Sequence, residues 1–142
     1  METATVMSPL QLASGGRDGF RLSIGGGAQA AGKARREISR LRADLDPPLL
    51  ESVRLLVTEL VTNSVRHAQA GTVELAVLVG AERVRVEIAN PGSSFEPVLR
   101  DDNPGSEDGW GLFLVDRISD SWGVVEEDAG TQRVWFELQR SA

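Results

Sequence analysis

A two-layer α/β sandwich, with helices grouped on one face of a mostly antiparallel sheet, is the fold class this sequence predicts. Three observations carry it. The stretch from Leu49 to Ala70 repeats apolar residues at three- and four-residue spacings (Leu49, Leu50, Val53, Leu56, Leu60, Val61), the period of a helix with one buried stripe. Thr72 to Val79 and Arg83 to Ala89 alternate apolar and polar residues on either side of Gly80-Ala81, the pattern of an antiparallel hairpin. The whole order reads strand, helix, helix, hairpin, loop, helix, hairpin, and helices segregated to one face of an antiparallel sheet accommodate that order.

Each element has its own local reason. Residues 1–19, rich in Ser, Gly and Ala, read as a flexible lead-in, leaving one domain over 20–142. Phe20, Leu22 and Ile24 alternate with polar residues as a short strand, ended by Gly25, Gly26 and Gly27. Three bare glycines without a following Gly-Lys-Ser/Thr signature make a turn rather than a phosphate loop. A first helix is expected over Ala28 to Ala43, with Ala30, Ala34, Ile38 and Leu41 inward. Lys33, Arg35, Arg36, Arg40 and Arg42 lie outward, a run that is either solvated or set opposite an acidic partner. Asp46 is an N-cap candidate before Pro47 and Pro48, which suit the first helical positions of the long helix. Gly71 reads as its C-cap.

Asn90, Pro91, Gly92, Ser93 and Ser94 end the first hairpin abruptly. The polar stretch 93–108 is longer than ordinary connections and has the character of a lid. Gly109 and Gly111 open a further helix reaching Ser119. Ser121 to Glu126 and Thr131 to Gln139 form the second hairpin, with Val134, Phe136 and Leu138 alternating in its last strand. Trp122 and Trp135 read as core or hairpin-face aromatics, and Phe113 as a packing residue.

Composition narrows the function classes. The chain has 142 residues, is 41 % hydrophobic and 25 % charged, and carries a formal net charge of -6, with a pI near 4.8. That size holds a single core. The acidic balance argues against direct nucleic-acid binding, because no excess of Lys and Arg is present to neutralise a phosphate backbone. The absence of cysteine excludes disulfide, thiol and thiolate-metal chemistry. No apolar run is long enough for a bilayer, and no signal-peptide pattern opens the chain; no membrane association and a cytoplasmic location are the expectation.

The chemistry-bearing residues converge on three places. Glu59 and Asn63 are four apart on the long helix, on one side of it, with His67 four further on. Asn90 and Gly92 stand at a strand end. Gly109 and Gly111 stand at a helix start, where free N–H groups favour phosphate and glycine permits close approach. An asparagine oxygen suits magnesium travelling with phosphates, and a carboxylate beside it can orient or deprotonate an attacking hydroxyl.

Four motifs carry a resemblance. VTELVTNSVRHA (57–68) resembles the N box of the GHKL-type (Bergerat) ATP-binding superfamily, shared by gyrase, a heat-shock chaperone, histidine kinases and mismatch-repair ATPases. IANPGSSFEP (88–97) resembles its first glycine box, GWGLFLVDRISDSWGV (109–124) its second, and GTQRVWFEL (130–138) its closing strand. Over residues 20–139 the chain is most similar to the bacterial anti-sigma-factor serine/threonine kinases. The resemblance implies a mixed, mostly antiparallel sheet backed by three helices, with ATP and Mg2+ as the bound pair. It implies Asn63 as the magnesium ligand and Glu59 as general base. His67, Asn90, Gly92, Gly109, Trp110, Gly111, Leu112 and Thr131 are implied along the nucleotide. It further implies a homodimer that binds a sigma factor and phosphorylates a serine of an anti-sigma-factor antagonist.

Two positions depart from the family pattern. Asn90 replaces the aspartate whose carboxylate accepts the adenine amino hydrogen, and Ser94 stands where glycine is common. The amide keeps an acceptor but loses charge assistance, a cost of about 1–2 kcal/mol, roughly tenfold in affinity. Two functions therefore remain open: a magnesium- and ATP-dependent serine kinase, and a non-catalytic regulatory module that keeps the fold and its protein-binding surface.

Overall fold

A computed structural model of the chain describes residues 6–11, 18–67, 71–90, 110–126 and 131–140. Their elements are β1 (Val6–Gln11), β2 (Asp18–Gly25), α1 (Ala30–Ser39), α2 (Pro47–His67), β3 (Thr72–Val79), β4 (Arg83–Asn90), α3 (Trp110–Ile118), β5 (Ser121–Glu126) and β6 (Gln132–Gln139). The strands form one six-stranded sheet in the order β1-β2-β3-β4-β6-β5, and every described pairing is antiparallel. The three helices pack on a single face, giving the two-layer sandwich expected from the sequence.

Strand periodicity builds the core. Side chains alternate between the two faces of a strand, and the inward set is the apolar one. Leu22 and Ile24 of β2, Val73, Leu75 and Val77 of β3, Val84, Val86 and Ile88 of β4, and Val134 and Phe136 of β6 all join one buried cluster. Ala34 and Ile38 of α1, Val53, Leu56, Val57 and Val61 of α2, and Val115 of α3 complete it from the helical layer. Leu56 and Val57 are adjacent yet both fully buried, because the apolar stripe of α2 is wide enough to face α1 and the sheet together.

Three local outcomes differ from expectation. The lead-in contributes a strand: β1 pairs with β2 along Val6↔Ser23 to Gln11↔Asp18. Ser8 and Pro9 interrupt its apolar alternation, which hides it in the sequence. Proline cannot donate to a ladder and is tolerated on an edge strand, and β1 is the edge. Residues 1–5 and 12–17 lie outside the described residues. The first helix is α-helical only to Ser39 and finishes as a 3₁₀ turn over Arg40–Ala43. There Ser39 Oγ donates to the Arg35 carbonyl at 3.0 Å, a local bond that competes with helix continuation. The long helix starts two residues earlier than its apolar stripe, at Pro47, where the missing proline N–H costs nothing; the Asp46 carbonyl accepts from Leu50 N at 2.9 Å. The lid stretch 93–108, the turn 128–130 and Ala68 to Ala70 lie outside the described residues; Gly71, expected as the C-cap, is described and stands four residues beyond His67, where α2 ends.

The face of the sheet away from the helices is polar and cross-linked. Arg85 bridges Glu87 at 2.8 Å and Glu137 at 2.9 Å, and its guanidinium stacks on Trp135, 4.2 Å from the ring centroid. Trp135 lies across the strands from Gly123, and the glycine is required there. A Cβ at position 123 would sit 2.8 Å from the indole Nε1. Trp122, one residue earlier, faces the opposite way, packs partly buried against the core and donates its indole N–H to Asp116 at 2.9 Å. At one end of the sheet Arg140 closes the fold, donating to the carbonyls of Gly80 and Asp44 at 2.6 Å each.

Gly123→Ala should lower unfolding free energy by about 1–3 kcal/mol through overpacking against Trp135. Chemical denaturation checks this, and the loss should shrink in a Trp135→Val background, where the ring that blocks the methyl is gone.

Candidate functional site

Strand direction decides which chain ends meet. Only residues 68–71 separate the end of α2 from the start of β3, so the C-terminal end of α2 lies at that end of the sheet. Register brings four strand ends there: the close of β2 (Gly25↔Thr72), the close of β4 (Ala89↔Glu74), the start of β6 (Asn90↔Gln132) and the close of β5 (Glu126↔Gln132). A backbone bond from Gly26 N to Gly71 O, 2.9 Å, stitches the β2 end to the approach to β3. α3 joins β5 across Ser119 and Asp120 at the far end, where Asp120 N bonds Glu137 O at 2.9 Å. Its axis is about 13 Å long, roughly half the length of an eight-residue strand, and the helix packs against α2 and β5.

Glu59 and Asn63 sit one turn apart on α2, both half-buried, with the buried Leu56 and Leu60 as their helix-surface neighbours. The neighbouring Ser64 is buried and commits its hydroxyl proton to the Leu60 carbonyl at 3.0 Å. Burial raises the Glu59 carboxyl above its ordinary range, since a partly desolvated site penalises the charged form. A carboxylate raised toward neutrality is a better proton acceptor at working pH than an ordinary one.

Asn90 is the buried polar residue of the sheet. It ends β4 at the same inward parity as Val84, Val86 and Ile88, and is 2 % exposed. Its Oδ1 is buried and has no hydrogen-bond partner among the described residues. Such an atom costs about 1–3 kcal/mol, and native proteins seldom leave one unmade. Gln132, its register partner on β6, carries a second buried side-chain oxygen, Oε1, in the same condition. Nothing in the motif reading singles out Gln132. The inward series Val134, Phe136, Leu138, stepped back by two, would have reached it.

The remaining expected residues fall as follows. Thr131 stands immediately before β6 and is half-buried. Leu112 is buried in the core cluster, so only its backbone is free to face a ligand. His67 ends α2, and Trp110 and Gly111 open α3, but the side chains of His67 and Trp110 lie outside the described ones. Gly92 and Gly109 also lie outside the described residues. Phe113 lies under the Arg117 guanidinium at 4.7 Å, a contact within α3.

The donor set fits magnesium–nucleotide. Glu59 and Asn63 offer hard oxygen ligands, the α3 N-terminus offers free N–H groups for phosphate, and the orphaned Asn90 oxygen offers an acceptor to an amino group. Among the described residues no three acidic or imidazole side chains cluster. A divalent cation would then take most of its ligands from phosphate and water, which is the usual habit of magnesium.

Comparison with known proteins decides the family. The model of the histidine kinase-like ATPase domain matches residues 28–137. The chain belongs to that family. Among curated proteins, this ATPase domain is similar to the serine-protein kinase RsbW of Listeria monocytogenes, 28 % identical over 94 residues, 56 % of this chain and 60 % of that protein. It is likewise similar to the serine-protein kinase RsbW of Staphylococcus epidermidis, 28 % identical over 109 residues, 66 % of this chain and 67 % of that protein. The chain thus spans about 60 % of the first of these relatives. Among solved structures, the RsbU and RsbW domains of Rv1364c from Mycobacterium tuberculosis share the fold. The TM-score is 0.62 at 20 % identity, covering 86 % of this chain and 33 % of that one. No helix among the described residues is long and apolar enough to cross a membrane.

The raised Glu59 carboxyl has a pH consequence in the nucleotide-free ATPase domain. A folded-state value above the unfolded one means that the folded chain holds the proton more tightly. The stabilisation is complete in acid and is lost as pH rises through the raised value. Glu59→Gln mimics the protonated form. Relative to wild type, it should leave the thermal midpoint unchanged near pH 4 and raise it between pH 6 and 8.

Proposed function

We propose that this domain is an ATP-dependent protein serine/threonine kinase that transfers the γ-phosphoryl group to a serine of an anti-sigma-factor antagonist and sequesters a sigma factor. The observation that carries the reading is the orphaned buried acceptor of Asn90 at the close of β4, in a chain whose long helix carries Glu59 and Asn63 one turn apart. Family membership and similarity to serine-protein kinases named RsbW support it.

The chain's own residues supply positioning and charge. Asn90 accepts a base amino hydrogen and fixes the purine at the mouth of the core. Backbone N–H groups at Trp110 and Gly111 would serve the phosphates, and by the motif resemblance alone Gly109 joins them and Gly92 is a nucleotide-binding position. Asn63 offers its oxygen to magnesium, which supplies neutralisation of phosphate charge when bound. Glu59, its proton affinity raised by burial, accepts the proton of the attacking serine hydroxyl. His67 and Thr131 border the phosphates. Phosphoryl transfer needs little covalent help from a protein, so orientation and electrostatics account for most of the rate. A cytoplasmic homodimer is the form in which the domain would act on protein partners.

A second reading keeps the partner surface without transfer. Asn90 in place of the family's aspartate favours it, because a neutral amide holds the base less tightly than a carboxylate.

Incubation of the chain with labelled Mg-ATP and an antagonist of the kind that serves RsbW kinases separates the two. Labelled phosphoserine should form, and Glu59→Ala should slow transfer by about 100-fold or more while changing ATP affinity only a few-fold. Absence of transfer at saturating ATP leaves the non-catalytic module. Asn90→Asp should tighten ATP binding by roughly tenfold in calorimetric titration, as charge assistance returns.

A further inference from the structure

Gln132 is inward-facing, polar and unused by the reading above. It is the register partner of Asn90 across β4 and β6, and directly opposed side chains in an antiparallel pair stand about 5 Å apart at Cβ on one face of the sheet. That face is the helical one, since Gln132 shares its parity with Val134 and Phe136 of the core. Each of the two side chains ends in a buried oxygen without a partner among the described residues. Two neutral acceptors therefore stand on directly opposed residues where β4 closes and β6 begins.

We propose that Gln132 is a second base-reading residue, which with Asn90 forms a two-acceptor site selecting a purine with a 6-amino group over one with a 6-oxo group. This rests on the nucleotide reading of the site. An exocyclic amino group carries two N–H donors, and two facing oxygens accept both. A 6-oxo purine would instead bring its carbonyl against two more lone pairs, a repulsive arrangement that discriminates as strongly as any attraction.

Turning an amide over exchanges oxygen for NH₂ and is the obvious escape. Neither amide nitrogen is among the buried atoms that lack a partner, so each is hydrogen-bonded or in contact with solvent. A flip of one amide would also set its NH₂ against the other's oxygen and satisfy both, and the structure shows neither oxygen so engaged. The second acceptor also offsets part of what Asn90 loses by not being a carboxylate, and it does so without charge.

Equilibrium titration of the full chain with the magnesium complexes of ATP, GTP, ITP and purine riboside triphosphate, which bears only hydrogen at position 6, tests this. ATP should bind at least tenfold more tightly than GTP or ITP. Gln132→Leu should weaken ATP about tenfold and leave purine riboside triphosphate unchanged. Gln132→Glu, which keeps an acceptor, should retain the preference for ATP. Equal weakening of ATP and purine riboside triphosphate by Gln132→Leu would assign Gln132 to packing and overturn the proposal, as would unchanged ATP affinity or equal binding of GTP and ATP. If none of the four nucleotides binds at millimolar concentration, the nucleotide reading itself fails, and this one with it.

Discussion

Burial of the apolar stripe of α2 against the inward residues of β3 and β4 is the constraint that the rest of the molecule obeys. Val53, Val57 and Val61 meet Val73, Leu75, Val77 and Val86 in one fully buried layer. A strand shifted by one residue would turn its whole apolar set to solvent, so this layer fixes the register of the central strands. It also fixes the rotation of α2. Once Leu56 and Leu60 point inward together with Val57 and Val61, Glu59 and Asn63 lie on the flank beside the two leucines, half-desolvated and one turn apart. The placement of the chemistry is thus a by-product of packing, and the raised Glu59 carboxyl follows from it.

The same layer ends in a polar pair. Apolar side chains fill the interlayer along β4 and β6 until Asn90 and Gln132, where two amides replace what would be two more core residues. Apolar groups at these positions would extend the core and leave no unmade hydrogen bonds. Two buried oxygens without partners are a local violation of an otherwise consistent pattern, and such violations concentrate where a protein meets its ligand. A carboxylate at the first of these positions would carry a desolvation penalty of its own; an amide pair is cheaper to bury.

Away from the helices, the sheet solves a different problem. Its outer face would be an open polar surface, and it is organised by Arg85, Glu87, Glu137 and Arg133 in a chain of ion pairs laid over Trp135. Individually such pairs contribute little when partly exposed. Joined through one guanidinium stacked on an indole, they hold β4 and β6 side by side, and those are the two strands that carry Asn90 and Gln132. Arg140 ties down the opposite end of the sheet through the carbonyls of Gly80 and Asp44.

The sequence by itself determined the elements whose periodicity is local. α2, β3, β4 and β5 appear where their spacing puts them, and Ala30, Ala34, Ile38 and Leu41 are buried as their three- and four-residue steps require. The motif wording was enough to single out Glu59, Asn63 and Asn90. β1 was invisible because Ser8 and Pro9 break its alternation, and only its position at the sheet edge makes proline acceptable there. Gln132 was invisible because a lone polar residue at a strand start says nothing until its register partner is known. That Asn90 and Gln132 face one another, and that α3 lies against α2 and β5, was decided by antiparallel pairing and layer packing. These are relations between segments distant in the chain, and no short-range pattern encodes them.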